Sequence, residues 1–436
     1  MNNLPDKLSK AECHPIILNK EKVSCLMYAD DIILLSETQI GLQQALNTTI
    51  KYSYKQGLEL NTRKTKVVYF NQNGKKSNHK FYANNKKLEE ETEYKYLGLN
   101  FKNSGSLKLA RNKIYQIALK AVYKIQNIIK SMNINVKTCL HLFDTLVTPI
   151  LMYGSEITCA FNVRGDSNYI FENVLKSEQE LIHIRFCKYL MGVNKKASNL
   201  ATLGEFGRYP IFLRSMKQIW KLIEKCKNCD DDNLLKHAYE ENKTLELPWY
   251  KFVKTLTCEA GISDIEEIFN KELAFLQLKT KYTEFWKGKL FNDIRPNAGG
   301  NKLRSYRLIK NIYELEPYLN IKDFKIRQAI AKFRISNHRL RIETGRYDST
   351  PLDERICLIC RNIEDEQHVL LNCTINQKER EILFAKISDK CKNFNNLNDK
   401  NKFIYIMSIS EKSLLLLIAN FIYDSLSILG CAREAA

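Results

Sequence analysis

Residues 23–36 have the sequence VSCLMYADDIILLS, and this stretch decides how the N-terminal part of the chain folds. Two short runs of apolar, β-prone residues flank the polar pair Asp30 and Asp31, a pattern that predicts a β-hairpin with strands buried on both faces. Two carboxylates beside buried strands need a compensating role, because an unpaired buried charge is costly. At a rigid hairpin tip they would point outward as hard oxygen ligands for a divalent cation. A plain Asp-Asp turn is the alternative interpretation.

The segments after the hairpin alternate in type. Residues 38–54 have the apolar spacing of a helix, and residues 66–70 and 94–101 each have the composition of a strand. Residues 108–132 then have the spacing of a long amphipathic helix. The apolar stripe predicted for it consists of Ile114, Ile117, Ala118, Ala121, Ile125 and Ile128.

Helical patterns dominate the remainder of the chain. They cover residues 138–153, 167–191 and 211–226 and much of 240–330, and residues 297–301 form the clearest loop. The sequence therefore predicts an α+β part followed by a mostly α-helical thumb-like and C-terminal region. The predicted boundaries fall at residues 1–105, 106–235, 236–332 and 333–436.

The formal net charge of +19 over 436 residues predicts a polyanionic partner. Residues 60–88 contain eight Lys or Arg and residues 94–143 contain nine, and neither stretch contains an acid. Tyrosines and asparagines are interleaved with these cations, which can neutralise phosphates while aromatic rings stack on bases. A solvated basic surface kept for solubility is the alternative, but the length of the acid-free stretches favours nucleic acid.

Membrane and secretory signals are weak in this sequence. The most apolar stretch, residues 414–429, is shorter than the roughly 20 residues that a membrane span needs and contains Asp424, so it is predicted to be a core helix. Residues 1–15 have no apolar signal segment. Most of the 13 cysteines lie in apolar contexts, which indicates free thiols in a reducing compartment. We therefore expect an intracellular protein of the nucleus or cytoplasm, with no membrane partner.

The tetrapeptide Tyr28-Ala29-Asp30-Asp31 resembles the catalytic hairpin of reverse transcriptases, and two further elements come after it in that family's order. One is the Asn-x-x-Lys-Thr element at residues 61–65, and the other is Tyr96-Leu97-Gly98. Three ordered elements between residues 28 and 98 are far more specific than one. Their order and spacing resemble those of non-LTR (LINE-type) retrotransposon polymerases, specifically the C-terminal part of such an enzyme.

The resemblance implies a role for each matching residue. Asp30 would be the principal ligand for Mg²⁺ (or Mn²⁺) and Asp31 an auxiliary ligand, with Lys64 near the leaving pyrophosphate. Tyr28 and Ala29 would lie close to the primer end and the template. The remaining implied contacts are a primer grip formed by Tyr96, Leu97 and Gly98, and a thumb helix that lays Lys113, Lys120 and Lys124 along the RNA–DNA hybrid.

A second constellation lies near the C-terminus, where Cys357, Cys360, His368 and Cys373 have the spacing C-x₂-C-x₇-H-x₄-C. Three thiolates and one imidazole suit a tetrahedral structural Zn²⁺. The alternative is a chance grouping in a Cys-rich chain. Residues 226–237 repeat the first two spacings, with Cys226, Cys229 and His237, but have Asn242 at the fourth ligand position, so we interpret them as a coincidence.

The segment around these four residues resembles the CCHC segment of non-LTR reverse transcriptases, which implies contact with template RNA or target DNA. Nearby arginines fit phosphate contact; they are Arg339, Arg341, Arg346, Arg355 and Arg361.

In the same family another catalytic Asp lies on an earlier strand, and only 27 residues precede Tyr28 here. Asp6 lies in a polar segment and is not assigned that role. We therefore expect an N-terminally truncated polymerase that is inactive by itself. The second hypothesis is a non-catalytic nucleic-acid-binding protein derived from such an element, and the sequence leaves the oligomeric state open.

Overall fold

The computed structural model describes residues 3–132, 134–159, 167–262, 265, 271–291 and 302–434. Short strands are confined to the N-terminal part, and long helices make up most of the chain after residue 107. The predicted order of an α+β part followed by a mostly helical remainder is therefore confirmed. The loop predicted at residues 297–301 lies outside the described residues.

The N-terminal part pairs its strands locally, as two-stranded sheets rather than as one continuous sheet. Four of the five pairs are antiparallel, and the pair β5–β8 is parallel. Its elements are α1 (Leu4–Ser9), β1 (Ile16–Leu18), β2 (Glu21–Val23), β3 (Cys25–Tyr28), β4 (Asp31–Leu34), α2 (Gln39–Lys55), β5 (Lys66–Val67), β6 (Tyr82–Ala83), β7 (Lys86–Lys87), β8 (Glu89–Glu90), β9 (Glu93–Tyr96) and β10 (Leu99–Lys102).

Two strand predictions change in the structure. The single strand expected at residues 94–101 is wrong, because Leu97 (φ 45°) and Gly98 (φ 83°) reverse the chain between β9 and β10. Positive φ at both central residues is the signature of a type I′ two-residue hairpin turn. The strand expected at 66–70 is shortened to Lys66–Val67.

Helices build the remainder. Several single helices expected from sequence are divided in two, for example at Val147, where one helix ends and the next begins. The helices are α3 (Lys108–Met132), α4 (Val136–Leu146), α5 (Thr148–Met152), α6 (Ser155–Thr158), α7 (Ser167–Val174), α8 (Glu178–Met191), α9 (Asn199–Phe206), α10 (Ile211–Lys227), α11 (Leu234–Thr244), α12 (Pro248–Glu259), α13 (Lys271–Phe291), α14 (Arg304–Ile309), α15 (Phe324–Arg334), α16 (Arg341–Thr344), α17 (Gln377–Lys390), α18 (Asp399–Met407) and α19 (Lys412–Glu434).

One continuous apolar core unites the helical remainder, from Ile114 on α3 to Leu429 on α19. Two much smaller cores lie in the N-terminal part, one around Leu46 and Phe81 and the other around Leu4 and Leu8. The boundaries expected at residues 235 and 332 fall inside the large core. They stay predictions, since no separate core marks them among the described residues.

The long helix α3 has the predicted bounds but not the whole predicted stripe. Ala110, Ile114, Ala118, Val122 and Ile125 are its buried residues. Ile117 and Ile128 are instead 54% and 39% exposed. Ile117 and Ile128 each lie three residues after a buried isoleucine, so periodicity alone places them in the stripe. Whether they are covered depends on where the neighbouring helices lie.

Helix α19 is the one described helix that is long and apolar enough to cross a membrane, judged by length and composition alone. Its apolar segment, Lys412–Arg433, is longer than the stretch 414–429 identified from the sequence. The prediction that this stretch is too short to span a membrane is therefore wrong. The helix packs against α15, and Ile418, Ala419 and Ile422 lie in the large core. Asn376 also donates a hydrogen bond to Ser425 Oγ at 3.1 Å. This packing accounts for its apolar composition.

Candidate catalytic hairpin and metal centre

The Asp-Asp pair lies at the exposed end of the β3–β4 hairpin. Tyr28 pairs with Asp31 across the two strands, so Ala29 and Asp30 form the turn itself. Ala29 has a φ of 54°, a backbone conformation that residues with a Cβ rarely adopt. Both carboxylates are exposed. The local geometry therefore matches the predicted hairpin, with Asp30 at its tip.

The strands of this hairpin are not buried on both faces, as the sequence had led us to expect. Leu26 and Met27 are each 37% exposed and Tyr28 is 64% exposed. Ile32 and Leu34 pack against the small cores, and β4 contacts α2. Successive strand residues point to opposite faces, so three exposed residues in a row show that this end of β3 is covered on neither face.

The β9–β10 hairpin lies within electrostatic range of the Asp-Asp hairpin. Burial raises the pKa of Tyr96, and the negative charge of Asp31 raises that pKa further. An electrostatic effect of this kind requires the phenol and the carboxylate to be near one another. The structure thus brings together two of the three elements that carry the sequence resemblance.

A residue that the sequence analysis did not single out fastens the turn of this second hairpin. Tyr153, at the end of α5, donates a hydrogen bond from its hydroxyl to the carbonyl oxygen of Leu97 at 2.5 Å. A Cβ added to Gly98 would lie 2.9 Å from that hydroxyl oxygen, which real Cβ atoms do not tolerate. Gly154 in turn packs closely on Leu99. In the sequence, the Tyr153-Gly154 pair could have indicated that α5 ends at this point.

The Asn-x-x-Lys-Thr element forms a self-contained turn. The Asn61 side-chain oxygen accepts hydrogen bonds from the backbone N–H groups of Arg63 and Lys64, each at 3.1 Å. The Thr65 hydroxyl donates to the Asn61 carbonyl at 2.9 Å. Lys64 itself is exposed. The Asn and Thr therefore shape the turn, and the exposed lysine ammonium is accessible to a ligand.

Lys113, Lys120 and Lys124 are exposed on α3. Steps of seven and four residues keep them within about 40° of one another around the helix axis, so they form one basic face. Ile117 lies between them, and Tyr123 is 52% exposed beside them. This combination of cations, an aromatic ring and an apolar side chain suits a nucleic-acid backbone better than bulk solvent.

The four predicted zinc ligands converge. Cys357, Cys360, His368 and Cys373 offer ligand atoms that all lie within 4.8 Å of one another. The Sγ atoms of Cys357 and Cys360 lie 3.9 and 3.7 Å from that of Cys373. A tetrahedral Zn²⁺ with bonds of about 2.3 Å places its sulfurs about 3.8 Å apart. The buried His368 Nε2 has no hydrogen-bond partner among the described residues, so the donor set fits the ion.

Local backbone contacts hold this arrangement. The N–H of Cys357 donates to the Asn362 carbonyl at 2.7 Å, and the N–H of Arg361 donates back to the Cys357 carbonyl at 3.0 Å. The Thr374 N–H donates to Cys360 Sγ at 3.3 Å. Burial opposes ionisation of Cys360, but the hydrogen bonds from Thr374 lower its pKa. Burial raises the pKa of Cys373 to about 12, so a bound cation would be needed to ionise all three thiols.

A buried carboxylate beside the cluster anchors the segment that presents His368. Glu366 is fully buried and accepts hydrogen bonds from Ser305, Ser336 and His338. Burial alone would raise the pKa of Glu366, but His338 and the Arg304 guanidinium hold it well below its usual range. Sequence reasoning missed this network, because its members come from several helices and loops.

The arginines around the cluster divide into two kinds. Arg339 and Arg361 are exposed. Arg355 is only 2% exposed, and its guanidinium donates to the carbonyls of Thr350 and Ile342. The expectation that Arg355 contacts phosphate is therefore wrong, because its guanidinium is buried and bonded to backbone carbonyls.

Among the described residues, the 357–373 set alone gathers three or more potential metal-ligand atoms. Cys226, Cys229 and His237 do not converge in this way, which agrees with the interpretation of their spacing as a coincidence. Asp30 and Asp31 likewise have no third ligand close to them within the described ranges. The pair supplies two carboxylates but not a complete cation site.

Residues 1–101 match the reverse transcriptase (RNA-dependent DNA polymerase) family. The N-terminal part is therefore similar to a reverse transcriptase domain. The matched residues include both hairpins and the Asn-x-x-Lys-Thr turn. The resemblance to reverse transcriptases is thus confirmed, and its finer assignment to the C-terminal part of a non-LTR enzyme stays a prediction.

Two relatives of this chain carry names that refer to mobile elements. An uncharacterized transposon-derived protein of Caenorhabditis elegans is 26% identical over 180 residues, which are 40% of this chain and 59% of that protein. A retrovirus-related Pol polyprotein from the type-1 retrotransposable element R2 of Nasonia vitripennis is 30% identical over 105 residues, which are 22% of this chain and 10% of that polyprotein. The chain therefore spans less than two thirds of either relative.

Proposed function

We propose that this chain is the part of a non-LTR retrotransposon reverse transcriptase that grips the template and the RNA–DNA hybrid, and that it does not polymerise DNA by itself. The arrangement of the two hairpins carries the proposal. Tyr96 of one hairpin lies near Asp31 of the other, and Tyr153 fastens the grip turn to the helical remainder. The basic helix α3 comes directly after β10. A hybrid held by the hairpins would therefore meet the lysines of α3.

In this proposal the chain's own residues divide the work. Leu97 and Gly98 hold the primer strand, and the exposed cations of α3 neutralise phosphates along the hybrid. Asp30 and Asp31 contribute oxygen ligands to a divalent cation that needs further carboxylates. Since no described residue adds a third ligand to that pair, we derive no catalytic step from it.

Hybrid binding tests the first half of the proposal. We expect a fluorescently labelled RNA–DNA hybrid to bind the wild-type chain with a strong salt dependence. Replacing Lys113, Lys120 and Lys124 together by Gln should reduce the salt slope by about 2.7, and the affinity near 0.1 M salt by on the order of 10² to 10³.

The matched control replaces three other exposed lysines of the helical remainder, Lys221, Lys225 and Lys287, by Gln. This variant loses the same formal charge from α10 and α13. If both triple variants lose affinity equally, binding depends on net charge alone, and the assignment of the hybrid to α3 is wrong.

Primer extension tests the second half. An RNA template with an annealed primer, Mg²⁺ or Mn²⁺ and all four deoxynucleotides should show no extension by this chain. Extension that disappears on Asp30→Asn substitution would contradict the proposal, because it would require a complete cation site in these 436 residues.

We propose further that the cysteine and histidine cluster binds structural Zn²⁺. The ligand-atom spacing and the unpartnered His368 Nε2 support this. Mass spectrometry of the purified protein should find close to one zinc per chain, and the Cys357→Ser, Cys360→Ser double variant should lose it. Cys431→Ser, which changes an exposed thiol elsewhere, should keep the metal. A folded, metal-free wild-type protein would end this proposal.

The alternative, a non-catalytic binding protein derived from such an element, makes the same hybrid-binding prediction. It is favoured by the incomplete ligand set around Asp30 among the described residues. The two differ in how the hybrid affinity depends on Asp30. Mg²⁺ competes with the lysines for phosphates and should weaken hybrid binding in either case. In a binding protein that loss should be the same for the wild type and Asp30→Asn. In a polymerase part the wild type should retain more affinity, because the cation bridges carboxylate and phosphate.

A further inference from the structure

A cavity of about 680 Å³ lies beside the start of α3. The loop of residues 104–107, which joins β10 to α3, forms one wall. The other walls come from the short helix α6 and from α10, α11 and α12. This volume falls within the usual range of small-molecule sites, about 300 to 1,000 Å³. The cavity is separate from both the Asp-Asp hairpin and the cysteine cluster.

The lining combines one positive charge with aromatic rings and an amide. Arg111 is the only charged side chain among the described residues that line the cavity. Its guanidinium donates to the Thr158 carbonyl at 2.9 Å, which fixes its position. A cation fixed in advance in a partly enclosed site suits an anionic group, because little ordering entropy remains to be lost on binding.

The remaining polar and aromatic groups are fixed as well. The Trp249 indole N–H donates to the Glu156 carbonyl at 2.8 Å, so the ring is held by its edge. The Asn242 side-chain nitrogen donates to the Ala238 carbonyl at 2.8 Å, which leaves the Asn242 oxygen to accept a hydrogen bond. Tyr239 is 4% exposed and lines the same cavity.

We propose that this cavity binds a single nucleotide, with its phosphate at Arg111, its base against Trp249, and its base edge at Asn242. Each group matches one part of that ligand: a cation for phosphate, an indole ring for stacking, and an amide oxygen for an amino group of the base. A fatty acid would use the arginine and the apolar walls but would leave the Asn242 oxygen without a partner. The inference does not depend on the proposed hybrid binding, which uses the exposed face of α3.

The chain carries its own optical reporter for this site. Trp220 and Trp286 are buried to 1% and 0% exposure, whereas Trp249 is half-buried at the cavity. Acrylamide should therefore quench mainly Trp249. Adenosine monophosphate should protect it from quenching, and titration calorimetry should give the dissociation constant. Adenosine and inorganic phosphate, each of which satisfies only half of the lining, should bind at least about tenfold more weakly.

Two variants and a control test the lining. Arg111→Gln should weaken the binding of adenosine monophosphate at least about tenfold, since it removes a hydrogen bond to a charged group. Because Arg111 also holds a backbone carbonyl, Asn242→Leu provides a second variant that should weaken binding severalfold while circular dichroism shows an intact fold. Lys225→Gln removes an exposed charge from α10 outside the lining and should leave the affinity unchanged.

A competition experiment identifies the source of the nucleotide. Displacement of adenosine monophosphate by a short single-stranded oligouridylate assigns the site to a nucleotide within a strand, and the lack of displacement assigns it to free mononucleotides. The proposal is overturned if adenosine monophosphate gives no protection, or if its affinity is the same in wild type, Arg111→Gln and Asn242→Leu. Tighter binding of decanoate than of adenosine monophosphate would also overturn it.

Discussion

Gly98→Ala tests the contact between the β9–β10 turn and the helical remainder. Gly98 has a φ of 83°, and an added Cβ would lie 2.9 Å from the hydroxyl oxygen of Tyr153 and 3.0 Å from a ring carbon of the same residue. The substitution therefore imposes two costs. One is the backbone strain of a residue with a Cβ at positive φ, and the other is the collision with a ring that hydrogen-bonds to the Leu97 carbonyl.

The two costs differ in origin and can be separated. Backbone strain at positive φ amounts to about 1–2 kcal/mol, and overpacking against a held side chain adds about 1–3 kcal/mol. Gly57 has a φ of 69° and no atom within 4 Å of an added Cβ. Gly57→Ala should therefore show the strain alone. The difference between the two variants, about 1–3 kcal/mol, measures the contact with Tyr153.

Hydrogen–deuterium exchange of residues 93–102 is the appropriate assay, because it reports the local opening of this hairpin rather than of the whole chain. Gly98→Ala should speed exchange there by the sum of both costs, while Gly57→Ala should speed exchange at its own turn by the strain alone. A double-mutant cycle with Tyr153→Ala should recover part of the loss, with a coupling of about 0.5–3 kcal/mol. If Gly98→Ala and Gly57→Ala each lower the protection of their own turn by the same amount, the β9–β10 turn does not rest on Tyr153 and our account of that turn is wrong.

Three further predictions concern single side chains. Asp144 accepts two hydrogen bonds from Arg208. Burial opposes ionisation of the Asp144 carboxyl, but the Arg208 guanidinium lowers its pKa. The stabilisation by this ion pair should therefore be present above the pKa of the unfolded chain, near 4, and be lost as the pH falls below it. Acid titration of Asp144→Asn should show a shallower loss over that range, and an unchanged slope would contradict the assignment. Asn61→Ala should cost about 1 kcal/mol in denaturant unfolding, while Asn78→Ala, at an exposed loop position, should cost nothing measurable. Asp30→Asn should leave the thermal midpoint unchanged, because the exposed carboxylate at the tip serves a ligand rather than the fold.

Local sequence patterns predicted several features of the candidate site. The apolar runs around Asp30 specified a hairpin, because strand pairing across a two-residue turn depends on adjacent residues. The bounds of α3 could be derived from its periodicity. The Cys357-to-Cys373 spacing specified the predicted ligand set, since most of the cysteine and histidine cluster is held by hydrogen bonds between residues close in sequence.

Other features needed the folded chain. Whether an apolar residue of α3 is buried depends on where the neighbouring helices lie, so Ile117 was assigned to the core although it is 54% exposed. Arg355 was expected to contact phosphate because it lies close in sequence to the predicted zinc ligands. The fold instead surrounds its guanidinium with backbone carbonyls.

The sequence alone determined which chemical groups this protein carries, and local patterns predicted the hairpin that presents the carboxylate pair and the spacing of the cysteine and histidine cluster. The β9–β10 turn was instead predicted as part of a continuous strand. Only the tertiary structure decided which of these groups meet. Tyr153 reaches the Leu97 carbonyl across 56 residues of chain, and the lining of the cavity comes from one loop and several helices that no local pattern connects. The physical reason is that hydrogen bonds within a turn depend on adjacent residues, whereas contacts between distant segments depend on the packing of the whole core.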